Sequence, residues 1–289
     1  MNDFKFTKGV KIIEGGVEKT YPLYDMNNIR AGLLYTDKLP PEIFTNIEDN
    51  RKLVQKRLQV NSEIIDEPIA LVGYGPTLKK WWKQLHDYKY IMSMSGSHKF
   101  LVERDIIPTY HAEIDFRPRK SVHTNPAHPD IIYLLASIVS PAVTNNMKHC
   151  KEVYLWNIKL EGIEYPPDEV VFEAYWDVGT EAILLAKALG FKEQHLFGYD
   201  YSYEVDTNLT HAGFHNGVPN QNVFAKVGNK IYLTSDNLCR GCLVFTALMQ
   251  DNPDLFLKMY SNGLLSAYIS NFINQEVSSS VIKEEVVKL

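Results

Sequence analysis

Cysteine is scarce in this chain: three residues, an odd number, so no disulfide framework can be drawn and a reducing compartment is expected. A basic excess is missing too. The formal net charge is −5 and the pI near 6.0, so the field behind most non-specific nucleic-acid affinity is absent, and neither DNA nor RNA is expected as a partner. Apolar runs such as Ile131-Ile132-Tyr133-Leu134-Leu135-Ala136 fall far short of the roughly 20 residues that cross a bilayer, so no membrane span is expected. The opening Met1-Asn2-Asp3-Phe4-Lys5 carries no apolar signal region, and the expected location is cytoplasmic. Internal repeats and low-complexity tracts are absent as well.

What remains is an ordinary globular composition, 45% apolar and 22% charged over 289 residues, enough for one enlarged domain with appendages. The expected division is an N-terminal arm and helix over 1–62, a core over 63–277 and a tail over 278–289. Alternating residues around Gly15-Gly16 predict a β-hairpin arm. Ile43, Ile47, Leu53, Val54 and Leu58 stand at helical spacing and predict a helix within 41–62. From Pro68 onward strands and helices alternate. Strands are predicted at 69–72, 90–94, 110–116, 131–137, 152–156 and 194–197, and helices at 77–86, 97–104, 140–149 and 178–189, with Gly190 as the C-terminal stop. A long loop is expected at 158–175 and another at 201–221. A hairpin at 223–233 turns on Gly228-Asn229, a helix capped by Asp236 runs to about 249, and a last strand covers 255–260. This alternation implies βαβ crossovers and a Rossmann-like α/β fold with a mostly parallel sheet.

In such a sheet ligands bind beyond the carboxyl ends of the strands. Three strand ends carry suitable chemistry. Gly73-Tyr74-Gly75-Pro76-Thr77 is a tight turn opening a helix with Pro76 in its first turn, where small residues let backbone N–H groups reach a phosphate. It lacks the third glycine of a dinucleotide fingerprint and the Gly-Lys-Ser/Thr of a P-loop. Asp115 ends the third strand and is expected to hold Mg²⁺ bridging phosphates, with Arg117 and Arg119 taking phosphate oxygens; a surface ion pair is the plainer alternative. Gly198-Tyr199-Asp200 ends the sixth strand and leads to His211, a candidate for acid–base work. His211 and His215 have an H-x-x-x-H spacing, but Gly213 and Asn216-Gly217 argue against a helix and so against zinc. Cys239-Arg240-Gly241-Cys242 lacks a second pair and reads as structural thiols, Trp81-Trp82 as core and rim, and Lys79-Lys80 as a solvated face.

Taken together, three stretches resemble one family. Ile69-Ala70-Leu71-Val72-Gly73-Tyr74-Gly75-Pro76-Thr77-Leu78 resembles the opening motif of the MptE-like family, named after an archaeal 6-hydroxymethylpterin diphosphokinase, with Thr77 where Ser is usual. Ile107-Pro108 through Ile114-Asp115-Phe116-Arg117-Pro118 resembles its Pro-Asp…Asp-x-x-Pro element, with Thr109 in place of the first Asp. The run from Gly179-Thr180 to Gly198-Tyr199-Asp200-Tyr201-Ser202-Tyr203 resembles its second signature, and the likeness covers about residues 28–268. The layout is also similar to bacterial sialyltransferases and to motility-accessory-factor glycosyltransferases. The resemblance implies a nucleotide-using transferase. By position it assigns phosphate or nucleotide binding to Gly73, Tyr74, Gly75, Pro76, Thr77, Arg117, Gly179 and Thr180, metal or nucleotide to Asp115, and the acceptor side to Asp200 and His211. The leading expectation is pyrophosphoryl transfer from ATP to a hydroxymethyl, pterin-like acceptor, with Mg²⁺ neutralising charge. The alternatives are transfer from a CMP-sugar of the sialic or nonulosonic acid type, and a non-catalytic nucleotide-binding module. The oligomeric state is left open.

Overall fold

A computed structural model describes residues 10–14, 17–27, 39–175, 177–204, 211–212 and 223–272. The elements in chain order begin with β1 (Val10–Glu14), β2 (Val17–Tyr21), β3 (Leu23–Asp25), α1 (Glu42–Leu53), β4 (Lys56–Arg57) and β5 (Ile69–Val72). Then come α2 (Leu78–Trp81), β6 (Tyr90–Met94), α3 (Ser97–Val102), β7 (Tyr110–Glu113), β8 (Ile132–Ala136), α4 (Pro141–Asn145), β9 (Val153–Ile158) and β10 (Val171–Phe172). The last are α5 (Val178–Ala188), β11 (Glu193–Phe197), β12 (Val223–Val227), β13 (Lys230–Thr234), α6 (Asp236–Asp251) and β14 (Phe256–Tyr260), followed by a helix over 264–272.

Nine strands form one sheet in the order β10-β9-β8-β7-β6-β5-β11-β14, with β4 beside β9, and every pairing in it is parallel. This is the Rossmann-like α/β layout the sequence predicts. Ile69 to Val72 are all buried because each face of the strand has its own cover. Ile69 and Leu71 pack with Ala182, Ile183 and Leu185 of α5, whereas Ala70 and Val72 pack with Leu78, Leu85, Phe100 and Leu101 on the opposite face. A second, three-stranded sheet joins the antiparallel hairpin β12–β13 to β3, which runs parallel to β12. β1 and β2 make the expected N-terminal hairpin.

Several expectations need correction. The predicted helix 41–62 ends at Leu53, because Lys56 and Arg57 leave it to pair with Tyr154 and Leu155 on the sheet edge. The helix after the glycine turn begins at Leu78 and gives way at Trp82 to a 3₁₀ segment, Trp82–Asp87. Ser235, not Asp236, caps α6: its hydroxyl accepts the Leu238 N–H, while Asp236 accepts from Tyr24 and Arg240. Cys239 and Cys242 lie buried in α6 as free thiols, in keeping with a structural role.

The expected loop 158–175 contains β10, and one carboxylate ties it down. Glu169 accepts from Arg51 at 2.9 and 2.5 Å, from Arg57 at 3.1 Å and from Asn157 at 2.8 Å. Its side chain is 8% exposed, while the two arginines are 28% and 20% exposed and stay partly screened. Glu169→Ala is therefore expected to lose about 2 kcal/mol, less than a fully buried pair would lose. Urea denaturation measures it; a change within about 0.5 kcal/mol would show the clasp to be ornamental.

Candidate active site

The sheet order reverses between β5 and β11. Successive strands from β5 run outward on one side through β6 to β10, and β11 and β14 lie on the other. The turns at the carboxyl ends of β5 and β11 therefore lie at the switch point of the sheet, the place where open α/β sheets bind ligands. The Gly73–Thr77 turn and the Gly198–Asp200 turn meet there. Gly73 N–H donates to Phe197 O at 2.8 Å, and Gly75 N–H donates to Gly198 O at 2.9 Å.

Asp200 is buried at the centre of this contact. Thr77 donates to its carboxylate from N–H at 2.7 Å and from Oγ1 at 2.5 Å, and Ser261 Oγ donates at 2.5 Å. Burial pushes the Asp200 pKa up against these three hydrogen bonds. The amides of Gly73, Gly75 and Thr77, where a phosphate is expected, each donate to a partner within the protein, and the acidic group the turn surrounds is Asp200. The glycines serve close approach of one turn to the other, since a Cβ at Gly73 would lie 2.8 Å from Gly198 O. Pro76 precedes α2, and its carbonyl accepts Lys79 N–H at 3.3 Å. Tyr74 stands over this corner with Phe100 at 6.1 Å and His211 at 5.3 Å, and its carbonyl accepts Ala212 N–H. The structure thus brings His211 to the glycine turn, while 205–210 and 213–222 lie outside the described residues.

Two strands away, β7 stops at Glu113 rather than running to Phe116. Glu113 turns the chain itself, because its Oε1 accepts the N–H groups of Ile114 at 3.0 Å and Asp115 at 3.2 Å. Ser95, at the end of β6 with φ +46°, donates its hydroxyl to both carboxylate oxygens at 3.2 Å. Burial, and then the nearby Asp115, raise the Glu113 pKa. Asp115 lies beyond this turn. Arg117 approaches it bidentately, with Nε 2.8 Å from Oδ1 and Nη2 on Oδ2, and Lys120 Nζ is 3.9 Å away. Burial alone would raise the Asp115 pKa; Arg117 and Lys120 hold it below the usual range. Lys120 is itself lowered by burial, against the pull of Asp115 and Glu113. Both Asp115 oxygens thus already face cations, which makes a poor fit to the expected Mg²⁺ site. Among the described residues no group of three or more His, Cys, Asp or Glu side chains is arranged to hold a metal.

Gly179 and Thr180 open α5 close to β11. Their donors are taken as well: Gly179 N–H goes to Asp177 Oδ1 at 2.8 Å and Thr180 Oγ1 to Asp177 O at 2.8 Å. Asp177, the N-cap of α5, is buried, and Tyr201 donates its phenol to the other oxygen. Burial pushes the Asp177 pKa up. A second polar group hides under β6, β7 and β8. His111 Nδ1 meets Ser93 Oγ at 3.0 Å, His98 Nε2 meets Tyr133 OH at 3.1 Å, and the two rings are 4.8 Å apart. Burial, then the charge of His128, lower the His98 pKa to about 4, and burial with its histidine neighbours drives His111 well below its ordinary value.

A nine-strand parallel sheet whose order reverses between β5 and β11, with Asp200 held between the turns at that point, is a Rossmann-like α/β frame. The family model described as "6-hydroxymethylpterin diphosphokinase MptE-like" matches residues 42–206, more than half of the chain. The chain belongs to that family. In structure it is similar to a MAf glycosyltransferase from Magnetospirillum magneticum AMB-1, with a TM-score of 0.58 and 16% identity over 76% of this chain and 37% of that one. It thus spans little more than a third of that protein's length. A mammalian sialyltransferase gives a TM-score of 0.37 at 12% identity, over 81% of this chain and 91% of the other. No curated protein matches the sequence. At a coarse level the family supports a nucleotide- or sugar-related transferase, and no helix among the described residues is long and apolar enough to cross a membrane.

Proposed function

We propose that the chain transfers a sugar from a CMP-activated donor to a hydroxyl acceptor, with the donor phosphate received at Arg117 and Lys120. One observation carries this reading: Asp115 is clasped by the protein's own cations instead of standing open to a metal. The leaving nucleotide is a single phosphate ester, which presents less charge than a pyrophosphate to Arg117 and Lys120, cations that it would share with Asp115. Pyrophosphoryl transfer spreads more charge over several phosphate oxygens and calls for a divalent ion. In the reaction the acceptor oxygen attacks the anomeric carbon, the bond from that carbon to the phosphate oxygen breaks, and CMP leaves with its electrons. His211, beside the glycine turn, is the candidate to take the acceptor's proton. Glu113 and Asp115 position the two cations, and Asp200 locks together the turns at the switch point. The shared fold with a glycosyltransferase agrees with this reading, though it says nothing of the acceptor. Pyrophosphoryl transfer from ATP is the second reading, favoured by the family's description.

Thermal unfolding with added nucleotides separates the two, since a ligand of the native state raises the midpoint. CMP is expected to stabilise the protein equally with Mg²⁺ or with EDTA, and Arg117→Ala to abolish the shift. Stabilisation by ATP with Mg²⁺ and none by CMP would overturn the sugar-transfer reading in favour of the second.

A further inference from the structure

The 3₁₀ segment and helix that follow the glycine turn carry a feature the transfer reaction does not use. Lys79-Lys80-Trp81-Trp82-Lys83 puts three lysines and two of the chain's four tryptophans within five residues, in a molecule of net charge −5. All three lysines are exposed and both tryptophans half-buried, so the indoles stand at the boundary between core and solvent. The arrangement continues beyond the segment. Trp81 meets the ring of Tyr260 on the edge strand β14 at 6.0 Å, and both belong to the apolar cluster that also holds Trp82 and Tyr88. Each ring carries a cation: Lys80 lies 4.8 Å from Trp81, Lys83 and Arg104 each 5.8 Å from Trp82, and Lys258 5.2 Å from Tyr260. The acidic neighbours are few. Glu193 is engaged with His195 at 2.7 Å, and Asp87 closes the 3₁₀ segment.

We propose that this face, Trp81, Trp82 and Tyr260 with Lys80, Lys83 and Lys258, docks the protein on the surface of an anionic lipid bilayer. Amphipathic aromatic rings sit at the headgroup level, and lysines around them are drawn to the negative surface potential. The charge is complementary only locally, since the rest of the molecule carries an acidic excess that the same surface repels; docking is therefore oriented. The face adjoins the glycine turn through Tyr74, which shares its apolar cluster, so docking would bring that turn close to the membrane.

Vesicle flotation without any nucleotide tests this independently of the transfer reaction. The full chain is expected to float with vesicles of phosphatidylcholine and phosphatidylglycerol at low salt, to stay behind with phosphatidylcholine alone, and to be released by salt. The double variant Lys80→Glu/Lys83→Glu, whose changes are on exposed side chains, is expected to keep its unfolding midpoint and bind anionic vesicles about thirtyfold more weakly or worse. Equal flotation with neutral and anionic vesicles, no flotation at low salt, or undiminished binding by the folded double variant would each overturn the proposal. So would tight binding of a single-stranded oligonucleotide at a salt concentration that releases the vesicles, which would reassign the face to another anion.

Discussion

Gly75→Ala is expected to destabilise the protein by on the order of 3 kcal/mol, at the top of the range for overfilling a packed site. A Cβ there would lie 2.6 Å from Gly198 O and 2.9 Å from Asp200 Cγ, and closer still to Asp200 Oδ2. Neither neighbour can retreat. Gly198 O belongs to backbone held by the Gly75 amide, and the Asp200 carboxylate is held by Thr77 and Ser261 while Gly263 packs against its backbone. Combining Gly75→Ala with Asp200→Ala gives a sharper result. Removal of the carboxylate relieves one of the two clashes, so the double variant is expected to be less destabilised than the two single losses added together. Denaturation midpoints at unchanged m-value measure both. A Gly75→Ala protein within about 0.5 kcal/mol of the parent would mean that the two turns are not locked together as described.

The buried His98 is expected to make the fold lose stability as pH falls from neutrality. His98 has an ordinary pKa of 6.5 in the unfolded chain and about 4 in the fold, where burial and then His128 disfavour its charged form. Between those values the unfolded chain binds a proton that the folded chain does not, so stability falls as pH falls. From about pH 7 to about pH 4.5 the loss from His98 alone comes to about 2–3 kcal/mol, with His111 acting in the same direction. Glu113, Asp177 and Asp200 act the opposite way, because burial raises their folded pKa values and the fold then takes up protons before the unfolded chain does. His98→Gln separates the two contributions. Its stability is expected to change less over the same pH range, and a slope identical to the parent's would remove His98 as the cause.

Much of the fold was legible because the parallel strands are short apolar runs bounded by glycine, proline or polar turns, as at Ile69-Ala70-Leu71-Val72 before Gly73. Other elements left no local pattern. β4 and β10 are two residues long and exist only because β9 offers an edge, and β3 joins residues 23–25 to 224–226. Boundaries failed where a side chain decided them: Glu113 ends β7 by taking the next two amides, which no propensity encodes. The same holds for the site. Gly73, Gly75 and Asp200 were visible one by one, but the hydrogen bond that joins Thr77 to Asp200 spans 123 positions and changes what the turn is for. Asp177 had a signal, an Asp directly before a helix that opens with Val178-Gly179-Thr180. Glu113 and His111 were hidden by lying in a strand buried on both faces, where a polar residue looks like one turned to solvent.

The position of β11 next to β5 has a bearing on how the chain is made. β6 pairs with β5 within about twenty residues of it in sequence, but the other side of β5 waits for residues 193–197, more than a hundred later. During synthesis Ile69 to Val72, completely buried at the end, must spend that interval with one row of peptide groups open. At the pace of a ribosome this lasts several seconds or longer, time enough for a chaperone or another nascent chain to occupy the vacant edge.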